Sequence, residues 1–158
     1  IDIGMKITQA QWSPMVVGAP RLKRYQVFGH LFAAANGVVY RIDRHPTMSR
    51  HPVTPMNEGD LTIHLAKQTA RRIALIDVAD MAENQGQHKL NIVMGSDQPV
   101  IMIDVTDLPT QIEAGHLIWE NRGKQLFSAD FLTQHQPLVD QCAGQGLGQL
   151  PTAAAVRR

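Results

Sequence analysis

Two short apolar runs, Ile73-Ala-Leu-Ile-Asp-Val78 and Pro99-Val-Ile-Met-Ile-Asp-Val105, constrain this chain more than any other feature. A strand with one wet face would alternate polar and apolar residues, and neither run does. Continuous β-branched runs of this kind suit strands covered on both faces, as in parallel sheets. A polar stretch from Glu83 to Leu90, partly helical in pattern, separates them. After the second run, Thr110-Gln-Ile-Glu113 fits a capping box, and the helix it starts can run through Trp119 to Arg122. Gly123 can close that helix, and Leu126-Phe-Ser-Ala129 reads as a third strand. Strand, crossover and strand in alternation predict an α/β fold, a mostly parallel sheet with flanking helices and right-handed connections.

The first half has a different rhythm. Ile1 to Ile7 reads as the tail of a longer element. Trp12 to Gly18 ends in a short apolar run closed by Gly-Ala-Pro, a buried strand feeding a turn. Tyr25 to Ala35 is aromatic and apolar, Asn36-Gly37 is a strong tight-turn dipeptide, and Val38 to Ile42 follows as a second strand. This stretch predicts a β-hairpin. Asn57 can N-cap a helix whose first turn carries Glu58 and Asp60. Leu61 and Leu65 share one face of it with His64 and Gln68, and it should stop near Arg71 and Arg72, where cations meet its C-terminal dipole. There is no internal repeat.

Composition sets bounds on partners. The 158 residues are 44% hydrophobic and 18% charged, in the range of a globular domain with a real core. A formal net charge of +1 gives no general pull toward nucleic acid. The single Cys142 cannot form an internal disulfide, which fits a reducing, cytoplasmic setting, and no activating base lies beside it in sequence. No apolar run approaches the roughly 20 residues needed to span a bilayer, so no membrane association is expected. The stretch from Gln141 to Arg158 is rich in Gly, Gln and Ala with little to bury, and residues 130–158 are expected to form a mobile tail. Gly144-Gln-Gly-Leu-Gly148 follows no strand and opens no helix, so it is no dinucleotide fingerprint.

The densest chemistry lies in Arg41 to Asp60, which packs three Arg, two His and three Pro into twenty residues. Three prolines predict a stiff, extended loop. Four readings stay open. Arg44, Arg50, Thr54 and the following helix N-terminus could grip a carboxylate or phosphate, because guanidinium forks bind such groups bidentately. His45 and His51 could bind a metal, although a spacing of six with no Cys and only Asp43 nearby matches structural zinc sites poorly. The loop could be an ordinary solvated connection, its prolines limiting its entropy. It could also be an interdomain contact. The duplicated His-Pro at 45–46 and 51–52 favours the first and last. Elsewhere, Asp104 and Asp107 fall at the carboxyl end of a predicted parallel strand, the ligand-facing edge of such sheets, with Asp107 or Thr106 also able simply to start the next helix. His30, His116, Trp12 and Trp119 read as packing or boundary residues.

Ser49-Arg-His-Pro-Val-Thr-Pro-Met56, preceded by Tyr25-Gln-Val-Phe-Gly-His-Leu-Phe32 and followed by Ala66-Lys-Gln-Thr69, resembles the four-carbon acid sugar kinases, typified by threonate and erythronate kinases. Their pattern has an aromatic "VYxGHLFV" hairpin, then "HPxTPM", then an acidic helix start closing on a Gln-Thr pair. Gly115-His-Leu-Ile-Trp-Glu-Asn-Arg-Gly123 and Leu126-Phe-Ser128 are similar to the family's "LIW…RG" helix and the strand after it. The resemblance covers roughly residues 8 to 128.

The resemblance implies an ATP-dependent kinase that phosphorylates a hydroxyl of a four-carbon sugar acid with Mg2+. It also implies an N-terminal sugar-binding domain working against a C-terminal nucleotide-binding domain. On this chain it implies residues 1–129 as a partial sugar-binding domain, with Arg44, Arg50, His51 and Thr54 as substrate-binding or interdomain candidates. No residue is assigned a catalytic, cofactor or metal role. The family's Asp-Asp-Leu-Thr-Gly motif and its Gly-rich nucleotide-binding half have no counterpart in this sequence, and Asp130-Phe-Leu-Thr-Gln-His135 replaces a Ser-Gly-rich turn. The expectation is a fragment that binds no ATP or Mg2+ and phosphorylates nothing alone. A non-catalytic α/β ligand-binding or interaction module is the alternative.

Overall fold

The computed structural model describes residues 1–95, 97 and 99–121. The expected third strand at 126–129, the closing Gly123, Cys142 and the tail at 130–158 lie outside the described residues.

Two sheets organise the chain. The first is parallel, with β1 (Ser13–Met15), β6 (Val100–Ile103) and β5 (Ile73–Ile76) in the order β1-β6-β5. β6 lies in the middle and all four of its residues are buried. Its side chains alternate between two cores. Ile101 and Ile103 pack with Trp12, Ile76, Met81, Leu90, Val105 and Leu117 under the helices, whereas Met102 faces Leu31, Ala33, Ile42 and Leu61. Both faces are covered, which is why the run carries no polar alternation. α3 (Val78–Ala82) and α4 (Gly86–Val93) make the crossover from β5 to β6, and α5 (Leu108–Glu120) follows β6. The expected α/β architecture, parallel sheet plus hairpin, is what the chain forms.

The second sheet is an antiparallel meander of β2 (Arg24–Val27), β3 (His30–Ala35) and β4 (Val38–Arg41). The expected single hairpin is therefore two. Asn36-Gly37 makes the second turn, and Phe28-Gly29 makes the first, interrupting what reads in sequence as one strand. Gln26 ties this sheet to the first: its amide donates to Val105 O (2.9 Å), and its side-chain Oε1 accepts from the Val17 amide (3.3 Å). Gly18 runs so close beneath β6's exit that a Cβ there would sit 2.5 Å from Val105 O.

Several local expectations are corrected. The segment Ile1 to Ile7 is helical rather than unassigned: α1 runs Asp2–Thr8 with Ile1 as its N-cap. α2 (Leu61–Ala66) is capped by Asp60, not Asn57. The Leu31 amide takes Gly59 O (3.0 Å) and His30 bridges to Asp60, so the chain stays extended beside β3 until Asp60 and cannot turn earlier. α2 stops at Ala66, short of the arginines. Arg71 pairs instead with Asp2 (2.7 Å) and Arg72 with Asp97 (2.6 Å). α5 begins at Leu108 because Asp107 is the N-cap and Thr110 the reciprocal capping-box partner, not the cap itself. Pro109 sits in the first turn, where its missing N–H costs nothing. No helix among the described residues is long and apolar enough to cross a membrane.

Candidate functional site

The Pro-rich segment is not extended. It folds into two 3-10 turns, Ile42–Arg44 and Met48–Arg50, lying against each other. Each turn ends in Arg, then His, then Pro, so the duplication in sequence becomes a duplication in shape. His45 and His51 adopt nearly the same backbone, φ −65° and −61° with ψ 129° at both. A following proline favours that extended conformation. His45 Nδ1 accepts from the amides of Thr47 (3.2 Å) and Met48 (3.1 Å). His51 Nδ1 accepts from the Thr54 amide (3.0 Å), with the Thr54 hydroxyl 3.1 Å away. An Nδ1 that accepts leaves the ring proton of a neutral imidazole on Nε2. His45 is buried, with its ring edge-on to Tyr40.

The four predicted site residues are therefore placed unevenly. His51 and Thr54 touch. Arg44 and Arg50 occupy matching positions at the ends of the two turns, both exposed, and neither guanidinium makes a hydrogen bond or ion pair with a described residue. Asp43 does not join the histidines, because Arg41 grips it in a fork through Nε (2.7 Å) and Nη2 (2.5 Å). That pairing, led by the Arg41 hydrogen bond, holds the Asp43 carboxyl below its usual range. Among the described residues no group of three or more His, Cys, Asp or Glu is arranged to hold a metal ion.

A second cluster lies at the carboxyl edge of the parallel sheet. Asp77, after β5, and Asp107, after β6, both cap helices, the bland role expected for Asp107. Asp104 does something else. It follows β6 directly, is fully buried, and its Oδ1 accepts from the Gly29 amide (3.1 Å). Its Oδ2 has no partner, nor does Gln26 Nε2. Burial pushes the Asp104 carboxyl above its ordinary value, and the Gly29 amide, the nearby Gln26 side chain and the Phe28 and Val78 amides oppose that shift only in part. The same Gly29 presents its carbonyl to the Leu61 amide (2.9 Å), and His30 Nδ1 lies 2.9 Å from Phe28 O. The carbonyl can only accept, so that ring nitrogen carries the proton. The Phe28-Gly29 turn is thus fastened to the sheet on one side and to α2 on the other. Sequence reasoning flagged Asp104 by its place after an apolar run but missed the turn it holds.

Between the two sheets remains a cleft of about 280 Å3 lined mainly by Met15, Val17, Leu31, Met48, Met56 and Met102. Arg24 and His64 supply the polar part of its lining.

A parallel sheet covered on both faces, with an antiparallel meander pinned to its carboxyl edge, makes this an α/β domain. The chain belongs to the family described as the sugar-binding N-terminal domain, which matches residues 1–130. It is 59% identical over 147 residues to a 3-oxo-isoapionate kinase of Paraburkholderia graminis, covering 93% of this chain and 31% of that kinase. The chain thus spans about a third of the length of this relative. Among solved structures, a Salmonella typhimurium LT2 protein matches with TM-score 0.75 at 14% identity, over 90% of this chain and 33% of that one. Haemophilus influenzae protein HI1011, of the DUF1537 family, matches with TM-score 0.73 at 17% identity, over 96% of this chain and 34% of that one. At such identities these two speak for the fold alone.

Proposed function

We propose that this chain is the sugar-binding part of an ATP-dependent kinase that phosphorylates a hydroxyl of a small sugar acid. The observation that carries this reading is the 59% identity to 3-oxo-isoapionate kinase along nearly the whole chain. It makes 3-oxo-isoapionate the first substrate to test, ahead of the four-carbon acids that the sequence resemblance implies. Phosphoryl transfer rests on positioning and charge neutralisation, and this domain would supply the positioning of the acceptor. Arg44 and Arg50 offer exposed guanidiniums for a carboxylate, and the His51–Thr54 pair offers hydrogen-bonding groups at the turn beside them. ATP and Mg2+ belong in this reading to a C-terminal nucleotide-binding domain of the longer enzyme, as the kinase resemblance implies.

The test has two parts. The 158-residue chain alone should give no ATP-dependent turnover of 3-oxo-isoapionate or of threonate, and clear turnover would refute the division of labour. Calorimetric titration with 3-oxo-isoapionate should show binding that Arg50→Ala and Thr54→Ala each weaken, by about 1.5–3 kcal/mol for a lost charge-assisted bond. Unchanged affinity in both variants would move the loop to a structural or interdomain role.

A further inference from the structure

The two hairpin turns of the meander provide an internal comparison. Both are two-residue turns, flanked by the pairs Val27↔His30 and Ala35↔Val38. Both have positive φ at each central residue, 47° and 74° at Phe28-Gly29, 51° and 81° at Asn36-Gly37. That is the type I′ geometry, whose twist matches the strands and whose preferred dipeptide is Asn-Gly. The chain uses that dipeptide at 36–37. At 28–29 it sets phenylalanine in the left-handed region, where a bulky side chain is an outlier and a residue other than Gly, Asn or Asp is disfavoured by roughly 1–2 kcal/mol. Folding of the turn alone would select Asn at both places.

Packing does not account for the choice, because the Phe28 side chain is left 56% exposed. The backbone around it is over-determined: Asp104 holds the Gly29 amide, Leu61 holds the Gly29 carbonyl, and His30 holds the Phe28 carbonyl. Asp104 is itself fully buried with one oxygen unpartnered, a costly group to keep at a turn of no importance. Strained residues that the surroundings force into place collect at ligand sites. The location agrees, since the Asp104–Gly29 bond sets Phe28 beside the carboxyl edge of the parallel sheet, where α/β domains bind ligands.

We infer that Phe28 is a substrate-contacting residue whose ring stacks on the C–H face of the bound sugar acid. An open aromatic ring presents a negative face, and the carbon-bound hydrogens of a polyhydroxylated acid are its natural complement, while the hydroxyls and carboxylate turn to polar groups. This rests on the reading of the chain as a sugar-acid-binding domain, and the experiment separates the two. The full chain is prepared as wild type, Phe28→Asn and Phe28→Tyr. Each is melted and titrated with 3-oxo-isoapionate. Phe28→Asn, which installs the favoured turn dipeptide, should melt about 2–8 °C higher and bind about two- to twelvefold more weakly, the range of a ring contact. Phe28→Tyr should bind within about twofold of wild type and gain no stability. Wild-type affinity in Phe28→Asn overturns the inference and leaves the wider function standing. A lower melting temperature in Phe28→Asn also overturns it, by showing that the ring serves packing. Failure of the wild type itself to bind refutes the sugar-acid reading, and the inference with it.

Discussion

Replacing Asp104 tests both the anchoring of the Phe28-Gly29 turn and the electrostatics beneath it. The residue is fully buried, one carboxylate oxygen accepts the Gly29 amide at 3.1 Å, and the other has no partner. Asp104→Ala strips a buried N–H of its acceptor, which costs about 1–3 kcal/mol. At roughly 2–4 °C per kcal/mol for a chain of this size, the melting temperature should fall at every pH. Asp104→Asn keeps an acceptor oxygen for Gly29 and puts an NH2 donor in place of the other oxygen, so it mimics the neutral, protonated acid. Because burial raises the carboxyl's pKa in the folded state, folding favours the protonated acid. Its favourable contribution is fully present below the unfolded value, near 3.8, and is lost as pH rises through the folded value. The Asn variant should therefore match wild type in acid and become the more stable of the two as pH rises toward neutrality. The assay is chemical denaturation of both proteins from pH 3.5 to 8, read as the difference between them. Asp2, Asp43, Asp60 and Asp97, all held below the usual carboxylate range, lose stabilisation in acid in both proteins and cancel from the difference. A wild type that is more stable than Asp104→Asn at pH 7, with a margin shrinking on acidification, would show a well-partnered carboxylate and refute the reasoning.

Two further outcomes follow from the packing. Gly18→Ala would place a Cβ 2.5 Å from Val105 O and 2.8 Å from Val105 Cβ, and that carbonyl is backbone held in place by the Gln26 amide. Overpacking there should destabilise by about 1–3 kcal/mol in urea unfolding, and an unchanged midpoint would mean that the strand end has slack. Asp60→Ala removes the cap that takes the Thr62 amide (2.8 Å), the Thr62 hydroxyl (2.6 Å) and the Ile63 amide, at a cost of about 0.5–2 kcal/mol. Burial works against the Asp60 charge, but these Thr62 and Ile63 bonds outweigh it and hold the carboxyl below its ordinary value. Its stabilisation is present above about pH 4 and lost as pH falls through the folded value, so the gap between variant and wild type should close in acid. A gap independent of pH would remove the charge from the cap's contribution.

What the sequence made legible was local and apolar. The runs at 73–78 and 99–105 announced a doubly covered parallel sheet because every position in them has to be buried, and Asn36-Gly37 announced its turn because the dipeptide has few other uses. The failures came where a distant partner decides. Asn57 and Asp60 are both competent caps, and the choice between them falls to Leu31, which draws Gly59 into an extended pairing from across the meander. Phe28-Gly29 carries no Asn or Asp, so an aromatic strand ran straight through it on paper. Its turn exists because Asp104, 75 residues further along the chain, supplies the acceptor for the Gly29 amide.

The Pro-rich loop shows how structure can narrow a site that sequence only crowds. Read as composition, its arginines, histidines and threonine compete equally for an anionic ligand. Folded, the prolines remove amide donors and so interrupt any regular pattern, and the two imidazoles accept the remaining amides of Thr47, Met48 and Thr54 on Nδ1. With Nδ1 engaged in this way, each imidazole has Nε2 left to offer a ligand. The guanidiniums of Arg44 and Arg50 have no such duty. In the proposed function, the duplicated His-Pro would be the scaffold that sets two cations at matched turn ends, and Arg44 and Arg50 would be the first candidates for an anionic ligand, with His51 and Thr54 as hydrogen-bonding neighbours.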